Sequence, residues 1–342
     1  MAKIIPLENN KDNFEESILS LKELCKEDLN SVDTLIIEKL DSNVPLVQEI
    51  GKYLILSGGK RLRPLLTISS FHLLKGKNLS THNHIGLASA VEFIHAATLL
   101  HDDVVDTSKE RRGNLTANEI WGNKTSVLVG DFLFSRSFQL MTKYGNLDTL
   151  KILSDTSVVI SEGEVLEISN EKNLEISEDT YFKIINGKTA SLFSAACQVG
   201  GISAKAKKNE IEALKSFGIN FGMSFQLIDD ALDYISDSNS MGKNLGDDFK
   251  EGKITLPILL AYGRSNDEEK NFWKRVISNL KQETGDFNKA IKIINKYHCI
   301  EDTITRAKHF ADVAIDSLSI FENNLFKNTL IKLIKVSISR FR

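Results

Sequence analysis

The stretch LLHDDVVDTSKERRG, residues 99–113, places three carboxylates at the end of an apolar segment and two arginines a few residues later. Buried carboxylates such as Asp102, Asp103 and Asp106 are costly unless a positive charge neutralises them. On a helix, positions i and i+4 lie about 40° apart around the axis, so Asp102 and Asp106 share one face. The stretch therefore predicts a helix that ends in an acidic, cation-binding face.

A second stretch, FQLIDDALDY at residues 225–234, repeats this pattern with Asp229, Asp230 and Asp233. One such set is equally well explained as a solvated helix end, but two sets in apolar helices favour a shared binding site. All six side chains are hard oxygen ligands, and no His or Cys stands near them at ligand spacing. This favours magnesium or manganese over zinc, and magnesium usually shares its shell with substrate phosphates.

Four basic stretches alternate with the two acidic sets. They are SGGKRLRP with Lys60, Arg61 and Arg63, ERRG with Arg111 and Arg112, NGKTAS with Lys188, and MGKNLGDDFKEGKITLP with Lys243 and Lys253. Arginine offers bidentate donors to phosphate, lysine a point charge, and glycine a close backbone approach. Each stretch alone is typical of solvated surface. Their alternation with the acidic sets predicts two polyanionic substrates, one bridged by metal and one held directly by cations.

Composition narrows the class of protein. The chain has 342 residues, of which 42% are hydrophobic, and a net charge of -3 that gives no field to attract nucleic acid. Cys25, Cys197 and Cys299 are widely spaced and are expected to have no metal or disulfide role. The chain shows no signal-peptide pattern and no run of roughly 18 apolar residues, so a cytoplasmic protein is expected.

Helical periodicity recurs along the chain, and nothing comparable alternates with period two. Only four prolines interrupt it. Residues 86–101 and 217–235 are apolar around much of the helix circumference, which predicts central helices. No repeat, low-complexity tract or Gly/Ser linker divides the chain. We therefore expect an all-α fold with a single large helical domain.

In their order, these motifs resemble the trans-isoprenyl diphosphate synthase family, and most closely its bacterial octaprenyl diphosphate synthases. The motifs are GGKRLRP, EFIHAATLLHDDVVD, RRG, VLVGDFLFSRSF, GKTASLF, FQLIDDALDY and GKNLGDDFKEGKITLP. The resemblance starts near residue 30, so residues 1–25 are set apart as an N-terminal segment and residues 26–342 are expected to form the catalytic domain. It implies the isoprenoid synthase fold around a central cavity, three magnesium ions with manganese as an alternative, and a homodimer.

The resemblance also assigns roles to individual residues. The family's metal-binding positions correspond to Asp102, Asp103, Asp106, Asp229 and Asp233. Its catalytic positions correspond to the same five residues together with Asp230 and Lys188. Isopentenyl diphosphate positions match Lys60, Arg63, His95 and Arg112. Allylic diphosphate positions match Arg111, Lys188, Thr189, Gln226, Lys243 and Lys253. His101, beside the first acidic set, is interpreted as structural.

The implied reaction is chain elongation by a prenyltransferase. An allylic diphosphate such as farnesyl diphosphate ionises, and the double bond of isopentenyl diphosphate attacks the cation. Short-chain relatives carry a bulky residue near Ala97 and Thr98, so these small residues predict a long, octaprenyl product for a quinone side chain such as that of ubiquinone. The floor of the channel is then expected deeper, among Phe132, Phe134, Phe138 and Met141.

Other function classes share some of these features. A terpene cyclase has no use for a second diphosphate site, and a squalene-type synthase has less dense acidic motifs. A shorter-chain farnesyl or geranylgeranyl synthase remains an alternative, as does a non-catalytic accessory subunit of a hetero-oligomeric prenyl synthase. The C-terminal stretch LIKLIKVSISRFR fits either a terminal helix packed on the core or a subunit neighbour, or a basic amphipathic helix for transient membrane-surface contact.

Overall fold

The computed structural model describes residues 14–74, 82–235 and 245–340, and it confirms the all-α prediction. In the first half of the chain the helices are α1 (Phe14–Leu24), α2 (Lys26–Lys39), α3 (Pro45–Leu56), α4 (Leu62–Leu73), α5 (Asn83–Val105), α6 (Ala117–Trp121), α7 (Asn123–Tyr144) and α8 (Leu147–Ser169). In the second half they are α9 (Glu178–Ile185), α10 (Ser191–Ser203), α11 (Lys208–Leu232), α12 (Asp247–Glu251), α13 (Leu256–Arg264), α14 (Asp267–Trp273), α15 (Asp286–Lys296), α16 (Cys299–Ser317) and α17 (Leu325–Ser337). Strands occur among the described residues only as one antiparallel pair, β1 (Glu110–Arg111) and β2 (Asn114–Leu115).

Helix boundaries follow local sequence signals. Pro45 and Pro257 stand in the first turns of α3 and α13, where a missing N–H costs nothing. The side chains of Asn146, Ser177 and Asn324 accept hydrogen bonds from backbone N–H groups in the first turns of α8, α9 and α17. These caps fix where the three helices begin.

Two long helices, α5 and α11, lie at the centre as predicted. α5 packs on α2, α4, α7 and α10, and α11 packs on α10 and α16. Small residues allow these helices to pack closely. A Cβ on Gly86 of α5, for example, would come within 2.1 Å of the Tyr144 ring of α7. Both acidic sets therefore lie at the C-terminal ends of central helices.

The first and last helices pack together. Phe14, Ile18 and Leu21 of α1 are buried, and α1 contacts α17. The division into residues 1–25 and 26–342 stays a prediction, although α1 belongs to the first of these segments. Leu330 and Leu333 of α17 are fully buried, so the structure shows the C-terminal stretch as a terminal helix packed on the core. Across the described ranges, no helix is both long enough and apolar enough to cross a bilayer.

Candidate active site

The end of α5 carries the first acidic set on a partly accessible stripe. Most of α5 is buried, but His95, Thr98 and Asp102 are partly accessible. Their spacing of three and four residues puts them on one face. Burial raises the pKa of Asp102 to about 6, with the charge of Lys188 opposing this rise and repulsion from Asp106 adding to it. This face therefore holds carboxylates whose repulsion a cation would relieve.

Asp103, the neighbour of Asp102, has a different environment. Its side chain is 1% exposed, and Oδ1 accepts hydrogen bonds from Arg111 Nε at 2.9 Å and Nη2 at 2.7 Å. The pair fastens the β1–β2 hairpin to α5. Asp103 was predicted as a metal ligand and Arg111 as an allylic diphosphate contact, and the structure places them against each other.

Lys188 lies in a π-helical turn, Asn186–Ala190, between α9 and α10. Its Nζ is 2.6 Å from Glu167 Oε2 and 3.2 Å from Glu164 Oε2, both on α8. Burial alone would lower the pKa of Lys188, but Glu167, Glu164 and Asp102 raise it above its ordinary value. Lys188 is therefore a fixed positive charge beside the first acidic set.

Two glycines let the π-helical turn approach α8. A Cβ on Gly163 would lie 2.9 Å from the Gly187 Cα, and a Cβ on Gly187 would lie 2.8 Å from the Gly163 Cα. Because real Cβ atoms do not come so near to a backbone, only glycine fits at both positions. This contact sets the position of Lys188.

Within the second acidic set, Asp230 is an anchor. It is buried and accepts hydrogen bonds from the Tyr181 hydroxyl and from Gln226 Nε2, the latter at 2.8 Å. Thr189 Oγ1 donates to Gln226 Oε1 at 2.9 Å, so these two predicted site residues lie against each other. Burial raises the pKa of Asp230 to about 7, and repulsion from Asp248 adds to the rise. Asp230 therefore joins α11 to α9 and, through Gln226, to the π-helical turn.

Of the adjacent residues Asp229 and Asp230, Asp229 is the partly accessible one. Its Oδ1 lies 3.6 Å from Arg340 Nη2. The Arg340 guanidinium lies over the rings of Phe14, at 4.9 Å, and Phe225, at 5.4 Å. The C-terminal end of the chain thus places a cation against the second acidic set.

The two acidic sets are connected through the segment around α12. Asp233 Oδ2 accepts a hydrogen bond from the Asp248 backbone N–H at 3.2 Å, and Lys253 Nζ lies 3.3 Å from Asp106 Oδ2. Burial alone would lower the pKa of Lys253, but Asp106 and Glu251 raise it. Residues 246–253 therefore contact both sets. Lys243, also predicted here, lies outside the described residues.

A basic group forms where the hairpin meets the start of α4. Arg112 Nη1 donates a hydrogen bond to the Gly58 carbonyl, and a Cβ on Gly59 would lie 2.7 Å from that nitrogen. Both glycines have positive φ, at 90° and 153°. The glycine pair therefore lets Arg112 reach across the loop that carries Lys60.

Arg63 and His95 complete this basic group. The Arg63 guanidinium lies 5.0 Å from the Phe193 ring centre, and burial lowers its pKa to about 10. Burial, reinforced by the charges of Arg63 and Arg112, holds the pKa of His95 well below its ordinary value. His95 is thus a neutral imidazole, able to donate a hydrogen bond to an anion without adding charge.

The predicted chain-length residues differ in exposure. Ala97 is 1% exposed and lies inside the core cluster, whereas Thr98 is on the accessible stripe and its hydroxyl donates to the His95 carbonyl at 2.9 Å. On α7, Phe132 and Phe134 are half-buried, while Phe138 is 40% exposed. His101, interpreted as structural, contacts the Val127 carbonyl at 3.2 Å.

Sequence reasoning missed several residues beside the site. Glu164 and Glu167 were not singled out, because acidic residues three apart on a helix are typical of a solvated face. Asp248 and Arg340 were missed too, and only folding brings Arg340 to Asp229. The one available signal is the dense charge in GDDFKEGK, where Asp247 and Asp248 stand a few residues before the predicted Lys253.

The donor set fits a hard divalent cation. Asp102, Asp106 and Asp229 are partly accessible. Each lies near a positively charged side chain, which is Lys188 for Asp102, Lys253 for Asp106 and Arg340 for Asp229. Carboxylate oxygens are the protein ligands that magnesium prefers. These three carboxylates could hold such ions, whereas Asp103 and Asp230 already accept hydrogen bonds from other side chains of the protein.

Comparisons with known proteins show which family the chain resembles. The family model described as Polyprenyl synthetase matches residues 44–294. The chain is 40% identical to the octaprenyl diphosphate synthase of Escherichia coli (strain K12) over 94% of this chain and 98% of that protein. A crystal structure of a decaprenyl diphosphate synthase from Rhodobacter capsulatus is 44% identical, with a TM-score of 0.90 over 95% of this chain and 99% of that one. A polyprenyl synthase from Caulobacter crescentus CB15, complexed with calcium and isoprenyl diphosphate, is 43% identical, with a TM-score of 0.89 over 95% of this chain and 98% of that one.

Proposed function

Because the chain belongs to the polyprenyl synthetase family, we propose which of its site residues bind each substrate and which would hold metal. The protein is a prenyltransferase, a long-chain trans-polyprenyl diphosphate synthase. It condenses isopentenyl diphosphate onto an allylic diphosphate. The observation that carries the residue roles is that Lys60, Arg63, His95 and Arg112 gather where the hairpin meets the start of α4, whereas Lys188, Lys253 and Arg340 each lie beside an aspartate of the acidic sets.

The basic group binds isopentenyl diphosphate. Lys60, Arg63 and Arg112 supply positive charge, and His95 donates a hydrogen bond as a neutral imidazole. Arginine forks suit phosphate oxygens, and partial burial of Arg63 strengthens each such contact. The group thereby holds the reacting double bond of this substrate near the stripe on α5.

The allylic diphosphate lies between the acidic sets. Lys188, Thr189, Gln226 and Lys253 are the contacts that support this placement, with Lys243 and Arg111 proposed as further ones. Asp102, Asp106 and Asp229 would hold magnesium, with Asp233 as a further predicted ligand, whereas Asp103 is proposed to position Arg111. When bound, magnesium stabilises the negative charge that develops on the departing diphosphate.

The protein's own residues then direct the allylic cation. Lys188 and Lys253 stay charged beside the leaving diphosphate, which favours breaking of the carbon–oxygen bond. Apolar side chains such as Leu99 on the stripe and Phe225 on α11 keep water from quenching the cation. Attack by the double bond and transfer of a proton to the departed diphosphate then lengthen the chain by one isoprene unit.

The product is proposed to be octaprenyl diphosphate, used for a quinone side chain such as that of ubiquinone. Small residues at 97 and 98 leave room for a growing tail, and the octaprenyl relative supports this length. A cytoplasmic location is supported by Cys25, Cys197 and Cys299, which are free, buried thiols.

A homodimer completes the proposal. Leu128 of α7 and Val158 and Val165 of α8 are more than half exposed, at 67%, 57% and 62%. Large apolar side chains at such exposure favour coverage by a second subunit. Light scattering of the purified protein tests this, and a mass of one chain would contradict it.

The reaction itself is tested with the purified chain alone. Farnesyl diphosphate, labelled isopentenyl diphosphate and magnesium are incubated with it, and dephosphorylated products are separated by chromatography. We expect octaprenol, and no product in excess chelator. Elongation only after a second protein is added would favour the accessory-subunit alternative, and a product no longer than geranylgeraniol would favour the shorter-chain alternative.

A further inference from the structure

Three metal-ligating side chains from different helices meet at the end of the bundle remote from the acidic sets. Asp28 Oδ2 of α2 lies 2.5 Å from His72 Nε2 of α4 and 3.1 Å from His84 Nε2 of α5. Their side chains are 21%, 14% and 4% exposed. His84 and Asp102 stand 18 residues apart on α5, about 27 Å along the helix. This cluster is therefore separate from the prenyl transfer site.

Aromatic rings fix both imidazoles. Phe71 stacks on His84 with ring centres 3.8 Å apart and planes at 7°. Phe326, at the start of α17, stacks on His72 at 4.9 Å and 19°. Nδ1 of each imidazole is buried and has no hydrogen-bond partner among the described residues, so each ring's polar contact runs through Nε2. Both rings are thus oriented toward Asp28 before any ion binds.

Asp28 supplies the carboxylate of the cluster, and its Oδ2 is the atom that both imidazoles approach. Cys25, one turn earlier on the chain, is not a fourth donor. Its Sγ lies 3.6 Å from Ser69 Oγ, and burial raises the pKa of the thiol to about 12.

We propose that Asp28, His72 and His84 form a transition-metal site of the zinc class, with a water molecule as the fourth ligand. Two imidazoles and a carboxylate suit zinc and cobalt, whereas magnesium prefers oxygen alone. Metal–ligand bonds of about 2.0–2.2 Å in a tetrahedron put donor atoms about 3.3 Å apart. The distance from Asp28 to His84 already fits this spacing, the distance from Asp28 to His72 is about 0.8 Å shorter than it, and all three donor atoms lie within 4.8 Å of one another. The ion ties α2, α4 and α5 together and, through Phe326, reaches α17.

Cobalt titration of the tag-free, chelator-treated chain tests the site. Excess magnesium is present to occupy the acidic sets, and the visible absorption of tetrahedral cobalt is recorded. We expect one equivalent of cobalt per chain, displaced by zinc. His72→Gln should weaken cobalt binding at least tenfold. His101→Gln, which removes a histidine outside the cluster, should leave it unchanged.

Circular dichroism first shows whether each variant is folded. If His72→Gln is not, Asp28→Asn is used instead, because it keeps the shape of the side chain while removing its charge; it should also weaken cobalt binding at least tenfold. A wild-type chain that binds no cobalt in excess magnesium overturns the proposal. Equal cobalt affinity in the wild type and a folded cluster variant does so as well.

Discussion

Within each pair of adjacent aspartates, the two carboxylates have opposite environments. Asp102 and Asp229 are partly accessible, whereas Asp103 and Asp230 are buried and hydrogen-bonded within the protein. Neighbouring residues on a helix point about 100° apart, so one of each pair faces the site and the other faces packed structure. Accessible and buried carboxylates in one motif therefore have separable roles.

This separation predicts different defects in the two kinds of variant. Asp102→Asn and Asp229→Asn should lower turnover by orders of magnitude, and Asp102→Asn should do so with little change in the free energy of unfolding, because removing its charge relieves repulsion from Asp106. Asp103→Asn should cost about 1–3 kcal/mol of stability, since it leaves Arg111 without its anion. Steady-state kinetics and urea unfolding measure both, with the exposed Asp131→Asn as control. Near-normal turnover in Asp102→Asn and Asp229→Asn would rule out their metal role.

The two diphosphate sites should also be separable by single substitutions. Arg112→Ala removes a charge from the basic group and should chiefly raise the KM for isopentenyl diphosphate. Lys253→Ala removes a charge beside Asp106 and should chiefly raise the KM for the allylic substrate. Initial rates with each substrate varied in turn check this. If both variants raise the KM for the same substrate, the assignment of the two groups is wrong.

Among the elements, the contact between α8 and the π-helical turn controls Lys188. Gly163→Ala would put a Cβ within 2.9 Å of the Gly187 Cα, so one of the two backbones must shift. We expect a loss of about 1–3 kcal/mol in the free energy of unfolding and reduced turnover, because Lys188 moves with the turn. Gly263→Ala in α13 is the matched control, since a Cβ there meets nothing within 4 Å. Denaturant unfolding that shows Gly163→Ala to be as stable as this control would contradict the prediction.

At the scale of the whole molecule, the length of the product indicates where the growing prenyl chain runs between the helices. Ala97→Tyr should shorten the product, at a packing cost of about 1–3 kcal/mol, because the residue is buried. Thr98→Phe, on the accessible stripe, should shorten it with less loss of stability. Chromatography of dephosphorylated products compares both with the wild type. A folded, active Ala97→Tyr enzyme that makes the same long chain would show that the tail does not pass residue 97.

The sequence by itself determined the helical class, the central position of α5 and α11, and the two acidic sets. These follow from local properties: period-3.6 patterning, few prolines and repeated Asp spacing, each visible within one or two turns. Motif order was also enough to identify the family. The caps on α8, α9 and α17 likewise depend on residues next to each helix start.

Only the tertiary structure decided which charged residues face one another. Asp103 pairs with Arg111, Lys188 lies between Glu164 and Glu167, and Arg340 reaches Asp229 from the far end of the chain. Likewise, Asp28, His72 and His84 meet from three helices. Such contacts depend on how helices distant in the chain pack and on which side of each helix is buried. The sequence pattern specifies a helix and its apolar face, but not the partner that each polar side chain meets across the bundle.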